Sequence, residues 1–108
     1  MNGSKRRNPP EISYDILKAA LSSQKKTRLM YQSRLNLKQL NEYLQELTLC
    51  ELISYHESGR FYVSTEKGRA YVRMFENYRE TADLLAEQDK TLARFLTPKA
   101  KKPVLVPA

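Results

Sequence analysis

The order of local patterns between Lys25 and Gly68 constrains the fold of this 108-residue chain more than any other feature of its sequence. Two short helical patterns come first, then a tight basic hairpin, and then the start of a new helix. About three residues separate the two helices, which is the short connection that a helix-turn-helix uses. Because a hairpin follows them directly, the segment predicts a winged helix-turn-helix in which the hairpin is the wing.

Three helices are expected before the hairpin. Apolar residues at helical spacing predict the first over residues 10–22. Thr27 is expected to cap the second helix, which ends near Arg34. The third is predicted over residues 36–49, because Asn36 can cap it and Gln39 stands three residues later, as in a capping box. Its apolar stripe faces the core, which leaves polar side chains on the outward face of a candidate recognition helix.

The hairpin leads into an unusually long final helix. Residues 52–56 and 60–64 are rich in β-forming side chains, and Gly59 between them is expected to take a positive φ in the turn. Thr65 is expected to cap the last helix, which runs to about Leu96 before Pro98 stops it. A helix of some 30 residues spans ~45 Å, which is more than a small domain can cover.

Apolar side chains of this last helix recur in alternating steps of four and three residues. The positions are Tyr71, Phe75, Tyr78, Ala82, Leu85, Leu92 and Leu96. Such a heptad seam either packs on its own domain or pairs with a second copy of the chain. Asp89 occupies the one seam position that is not apolar, and it would bring like charges together in a parallel, in-register dimer. An antiparallel pairing avoids that juxtaposition, and we predict self-association with the seam residues at the interface.

The predicted fold class is mainly α with a β-hairpin wing: a winged helix-turn-helix plus a long C-terminal helix that forms an antiparallel coiled coil. In this scheme residues 1–9 are a disordered basic N-terminus and residues 10–68 the winged helix-turn-helix domain. Residues 69–96 are the dimerisation helix, and residues 97–108 are a disordered basic tail.

The charge balance indicates a polyanionic partner. Lysine and arginine number 19 against 12 aspartate and glutamate residues, a net charge of +7. Eight basic and two acidic side chains fall within residues 1–35. Such a balance favours nucleic acid, and double-stranded DNA is the expected partner. Because no apolar run approaches a membrane span of about 20 residues, we expect a soluble cytoplasmic, nucleoid-associated protein with no membrane contact.

Residues in three places are suited to DNA. At the start of the second helix, backbone amides and basic side chains favour a phosphate. Near the start of the third helix, amide side chains and a lysine can read bases in the major groove. Arg60 at the wing tip can enter a minor groove or touch phosphate. The predicted DNA-binding residues are Lys25, Lys26, Thr27, Arg28, Ser33, Arg34, Asn36, Lys38, Gln39, Asn41, Ser58, Gly59 and Arg60. The alternative is that these are only solvated polar positions.

The sequence offers no catalytic apparatus, so we predict no enzyme, no cofactor and no metal. Cys50 and His56 are too few for a zinc site, which needs about four ligands. The seven tyrosines are spread along the chain, and we interpret them as core or interface residues rather than a base-stacking platform. A protein-interaction scaffold that does not bind DNA is the alternative function, because winged helices also serve that role.

Residues 12–96 resemble the small archaeal winged helix-turn-helix DNA-binding proteins that are described as chromatin-associated or as transcriptional regulators. The most specific match is KKTRLMYQSRLNLKQLNEYL, and TEKG at the start of the last helix is a second marker. The resemblance implies a winged-helix domain, an antiparallel coiled-coil homodimer formed by the C-terminal helix, and DNA binding through two separated heads.

The resemblance also carries over to single positions. The matching residues are Lys25, Lys26 and Arg28 in the second helix, Asn36, Lys38 and Gln39 in the recognition helix, and Ser58, Gly59 and Arg60 in the wing. Two positions depart from the family pattern. Arg34 stands where a neutral residue is expected, and Cys50-Glu51 replaces a Lys-Gly pair that often ends the third helix. The second departure removes a basic group and a glycine cap. The resemblance therefore does not fix where the third helix ends or the angle at which the wing leaves it.

Overall fold

The computed structural model describes residues 6–96 of the chain. The elements are α1 (Pro9–Ala19), α2 (Lys26–Ser33), α3 (Leu37–Leu49), β1 (Ile53–His56), β2 (Phe61–Ser64) and α4 (Glu66–Leu96). This order confirms the predicted fold of helices, hairpin and long C-terminal helix. Residues 1–5 and the tail over residues 97–108, for which disorder was predicted, lie outside the described residues.

The core of the winged domain is built from all three short helices, the first strand and the start of α4. Its buried apolar residues are Tyr14, Ile16, Leu17, Ala20, Leu29, Leu35, Leu40, Leu44, Leu47, Ile53 and Val72. Burying each leucine or isoleucine side chain contributes about 1.5–3 kcal/mol. The apolar stripe of α3 (Leu40, Leu44 and Leu47) therefore fixes which face of this helix remains outside.

The wing is a two-stranded antiparallel sheet that is extended at its base by Gln24, two residues before α2. Tyr55 lies opposite Tyr62 in the strand register. Gln24 N–H donates to the Tyr62 carbonyl over 2.9 Å, and Tyr62 N–H donates to the Gln24 carbonyl over 2.7 Å. This pairing holds the chain extended up to Lys25, which is the N-cap of α2 in place of the predicted Thr27.

The turn of the wing differs from the prediction. Arg60, with a φ of 53°, takes the left-handed conformation that was expected of Gly59. Arg60 N–H donates to the Glu57 carbonyl over 3.3 Å, which closes a four-residue turn with Ser58 and Gly59 at its centre. The left-handed residue follows that turn, as is common in longer hairpin loops.

Both ends of α3 are fixed by local contacts. Its N-terminus has the predicted capping box, in which Gln39 N–H donates to Asn36 Oδ1 over 2.8 Å and Asn36 N–H donates to Gln39 Oε1 over 3.2 Å. At the other end Glu51 takes the left-handed conformation, with a φ of 63°, where the family often has glycine. Lys67 Nζ on α4 donates to the Cys50 carbonyl over 2.9 Å and supplies a cation to this helix end.

Residues 7 and 8 are ordered, although residues 1–9 were predicted to be disordered. Asn8 caps α1. Arg7 Nη1 donates to Asp15 Oδ2 over 2.9 Å and to the Ser33 carbonyl over 2.6 Å, and Arg7 Nη2 donates to the Arg34 carbonyl over 3.1 Å. The guanidinium therefore ties α1 to the C-terminal end of α2, where a cation offsets the partial negative charge of the helix.

The start of α4 belongs to the winged domain. Thr65 caps it as predicted, because Gly68 N–H donates to Thr65 Oγ1 over 3.0 Å. The first two seam positions pack on the core of their own domain, and their predicted place in a dimer interface stays a prediction. Tyr71 Oη donates to the Pro10 carbonyl over 2.8 Å, and Phe75 stacks on Tyr14 with the ring centroids 4.8 Å apart. By its internal contacts, one unit ends at Glu76 and a second begins at the next residue.

Candidate nucleic-acid interface

A basic cleft lies between the start of α2 and the wing. It has a volume of about 350 Å³ and is lined by Lys25, Lys26, Thr27, Tyr55, Arg60 and Tyr62. The pairing of Gln24 with Tyr62 explains its position, because this contact holds the first turn of α2 beside β2. Among the residues that the structure describes, every charged residue that lines this cleft is basic.

The first turn of α2 presents backbone donors as well as positive charge. Within the described residues, Lys25 makes no side-chain capping hydrogen bond to this helix, and the first turn contains no acidic residue. The first backbone N–H groups of a helix have no partner inside it, and they carry a partial positive charge. An anion beside Lys26 and Thr27 would therefore meet both the helix terminus and lysine side chains.

A second cleft, the tyrosine cleft, lies between α3 and the wing. It has a volume of about 380 Å³ and is lined by Asn41, Leu44, Gln45, Thr48, Leu49, Tyr55 and Tyr62. Tyr55 and Tyr62 line both clefts. Strand alternation accounts for this placement, because these two residues share the face of the hairpin on which the buried pair Ile53 and Ser64 lies, closer to the core.

The structure brings only part of the predicted DNA-binding set together. Lys25, Lys26, Thr27 and Arg60 line the basic cleft, and Asn41 lines the tyrosine cleft. Six exposed residues of the set line neither cleft, namely Arg28, Arg34, Asn36, Lys38, Gln39 and Ser58. Gly59 is half-buried in the wing turn. The predicted DNA contacts of all these residues stay predictions.

Three predicted binding side chains are occupied or inaccessible. Ser33 is fully buried, so its hydroxyl cannot reach a ligand at the surface. Asn36 and Gln39 are exposed, but each side chain caps the backbone of the other. Their amide oxygens are therefore already engaged at the start of α3, and bidentate base contacts, which also use that oxygen, would compete with the capping box.

Tyr55 is 45% exposed and so does not belong to the buried core, whereas a place in an interface stays a prediction. Its ring centroid lies 4.8 Å from that of Tyr62, with 46° between the ring planes. Burial raises the pKa of Tyr62, with a smaller contribution from Tyr55, so its hydroxyl stays neutral around physiological pH. The alternation of the two strands would have placed both rings on one face, had the register been known.

In the chain over residues 6–96, no helix is long and apolar enough to cross a membrane. Within the same residues, histidine, cysteine, aspartate and glutamate side chains form no cluster of three that could hold a metal ion.

Comparison with known proteins gave matches of two kinds, to a family model and to solved structures. A family model described as winged helix-turn-helix matches residues 6–83. Among solved structures, the chain is similar to the crystal structure of Sso10a-2, a DNA-binding protein from Sulfolobus solfataricus, with 24% sequence identity and a TM-score of 0.74. That alignment covers 86% of this chain and 100% of the other, and it supports the fold. No curated protein sequence matches this chain.

Proposed function

Since this chain belongs to the winged helix-turn-helix family, we propose that it binds double-stranded DNA as a transcription regulator or a nucleoid-associated protein. The basic cleft is the observation that carries this proposal, because it joins Lys25, Lys26 and Arg60 from two separate elements. Similarity to Sso10a-2, a DNA-binding protein, gives further support. The proposed mechanism is binding alone, without catalysis.

The proposed mode of binding places α3 in the major groove. Its outward face carries Lys38, Asn41 and Gln45, all of them exposed, and such side chains can contact base edges or phosphates. The first turn of α2 would neutralise backbone phosphates, and Arg60 would contact the backbone or a minor groove. Most of these contacts are to phosphates, so we propose binding that tolerates many sequences.

The salt dependence of duplex binding tests this proposal. We expect the affinity for a labelled duplex, measured by fluorescence anisotropy, to fall by ~10²-fold or more between roughly 50 and 200 mM salt, because several phosphate contacts release counterions. Random and promoter duplexes should be compared. Similar affinities would favour a nucleoid role, and a strong preference would favour a regulator. If no duplex binds at low salt, the proposal fails and a protein-interaction scaffold takes its place.

We further propose that the second half of α4 forms an antiparallel coiled-coil homodimer. Four of the large seam residues beyond Glu76 are highly exposed, namely Tyr78, Leu85, Leu92 and Leu96 at 67%, 55%, 61% and 82%. Monomeric proteins rarely leave such a row of apolar side chains in water. Asp89 is exposed on the same seam, and an antiparallel arrangement separates the two copies of its charge.

A matched pair of variants tests the dimer. Leu85→Asp places a charge on the seam, and we expect it to shift the protein to monomer in sedimentation equilibrium at concentrations where the wild type is dimeric. Leu84→Asp is the control, since Leu84 is similarly exposed, at 60%, but lies off the seam. Equal loss of mass in both variants, or a monomeric wild type, would contradict the proposed interface.

A further inference from the structure

The basic cleft and the tyrosine cleft share one pair of aromatic rings. Tyr55 and Tyr62 lie directly opposite in the strand register and line both clefts. The backbone of Tyr62 is fixed in position, because its N–H and carbonyl groups both form hydrogen bonds with the backbone of Gln24. Tyr55 is the more accessible ring, and its position on a short paired strand fixes its direction.

The tyrosine cleft combines flat apolar walls with amide and hydroxyl groups. Leu44 and Leu49 supply apolar surface on the α3 side, opposite the two rings. Asn41 and Gln45 are exposed and add amide groups that can both donate and accept hydrogen bonds. A volume of about 380 Å³ is within the usual range of small-ligand sites. This chemistry suits a planar heteroaromatic ring with hydrogen-bonding groups on its edge.

The basic cleft supplies the complementary charge. Lys25, Lys26 and Arg60 line it, and the first-turn amides of α2 add donors. An anionic group attached to the planar ring would therefore find its counter-charges across the tyrosine pair. A nucleotide has this composition, because it joins a planar base with polar edges to a negatively charged phosphate.

We propose that the tyrosine cleft binds the base of an unpaired nucleotide in a DNA strand, with the adjoining phosphate in the basic cleft. A base inside a duplex is stacked on both faces and paired at its edge, so only an unpaired nucleotide can enter. Stacking on an aromatic side chain tolerates any base, because every base has a π face. The inference rests on the proposed function for the basic surface that attracts DNA, and it extends that function to single strands.

The experiment compares two single strands of equal length and charge. One is a labelled oligothymidylate of about ten nucleotides, and the other is the same strand with abasic sugars in place of thymidine. We expect the full-length protein to bind the thymidine strand roughly tenfold more tightly in anisotropy titrations, since each stacked base contributes to affinity. Both strands carry the same phosphates, so the ratio of the two affinities reports the base contact.

Variants of Tyr55 test whether the difference in affinity between the two strands comes from the tyrosine cleft. Tyr55→Leu removes the ring and should reduce the ratio to about one, whereas Tyr55→Phe keeps the ring and should preserve it. Tyr31→Leu is the control, because Tyr31 is 71% exposed on α2 and lines neither cleft. Unfolding curves should be similar for all three variants, since both tyrosines lie outside the buried core.

The outcomes separate this inference from the proposed function. Equal affinity of the wild type for both single strands would overturn the inference, even if duplex binding is strong. A tenfold ratio without duplex binding would support the nucleotide site and overturn the proposed function.

Competition with thymidine monophosphate tests whether the site binds a free nucleotide or a nucleotide within a strand. Displacement of the strand at an equal concentration of nucleotide would identify a free-nucleotide site and overturn the strand assignment, and failure to displace would support it.

Discussion

The double charge reversal Lys25→Glu/Arg28→Glu is expected to weaken duplex DNA binding by roughly 100-fold at low salt, with little dependence on sequence. Both side chains are exposed at the start of α2, where phosphate contacts position a protein without reading bases. Each lost phosphate contact also lowers the slope of log affinity against log salt by about one. The slope should therefore fall by about two in anisotropy titrations of one duplex at several salt concentrations.

The fold should survive this change. The first turn of α2 contains no acidic residue, and glutamate near a helix N-terminus interacts favourably with the helix dipole. Arg73→Glu/Lys90→Glu is the matched control, since it makes the same change in net charge on exposed positions of α4 that line neither cleft. If both double variants lose the same affinity, net charge alone drives binding and the proposed surface on α2 is wrong.

Gly68→Ala should lower the free energy of unfolding by about 3 kcal/mol, at the upper end of the usual cost of overpacking. A Cβ atom at this position would lie 2.1 Å from the Leu52 carbonyl oxygen and 3.1 Å from its carbon. That carbonyl accepts a hydrogen bond from Thr65 N–H over 3.0 Å, so it cannot move without loss of this contact. In thermal unfolding followed by circular dichroism, the midpoint should fall by about 10–20 °C.

The same substitution in the wing provides the control. A Cβ atom at Gly59 would lie 2.6 Å from two ring atoms of Phe61, which are the far end of a side chain. The ring can rotate away from its stack on His56, so Gly59→Ala should cost less than about 1 kcal/mol. A Gly68→Ala protein as stable as Gly59→Ala would show that α4 can shift away from Leu52, contrary to the packing described above.

Local sequence patterns predicted those parts of the fold that depend on neighbours in the chain. The capping box of Asn36 and Gln39 and the cap at Thr65 follow from side chains that stand three residues from the amides they bind. The order of helices and strands followed from periodicity for the same reason. These contacts are made within a single turn, so no knowledge of the tertiary structure was needed.

Contacts between distant segments could not be predicted in this way. Arg7 binds the carbonyls of Ser33 and Arg34 on another helix, and a single basic residue near the N-terminus gives no indication of such a partner. The heptad spacing at Tyr71 and Phe75 is the same as that farther along α4, yet these two side chains pack on their own core. Periodicity identifies an apolar face and does not identify what covers it.

The candidate site shows the same division. Basic residues at the start of α2 and at Arg60 were found from charge and position, but their convergence into one cleft depends on the pairing of Gln24 with Tyr62. Tyr55 was missed because the sequence of either strand alone does not specify how the two strands pair. Ser33 was misassigned because its burial depends on how three helices meet.

The contact between Gln24 and Tyr62 also bears on the thermodynamics of binding. Its two short backbone hydrogen bonds join the base of the wing to the entry of α2, so a hinge motion of the wing would have to break them. The spacing between Arg60 and the lysines is therefore set before DNA arrives, and little conformational entropy remains to be lost on association. The protein would then act as a rigid template, and any adjustment of shape in the complex would fall on the DNA, where deformability varies with sequence.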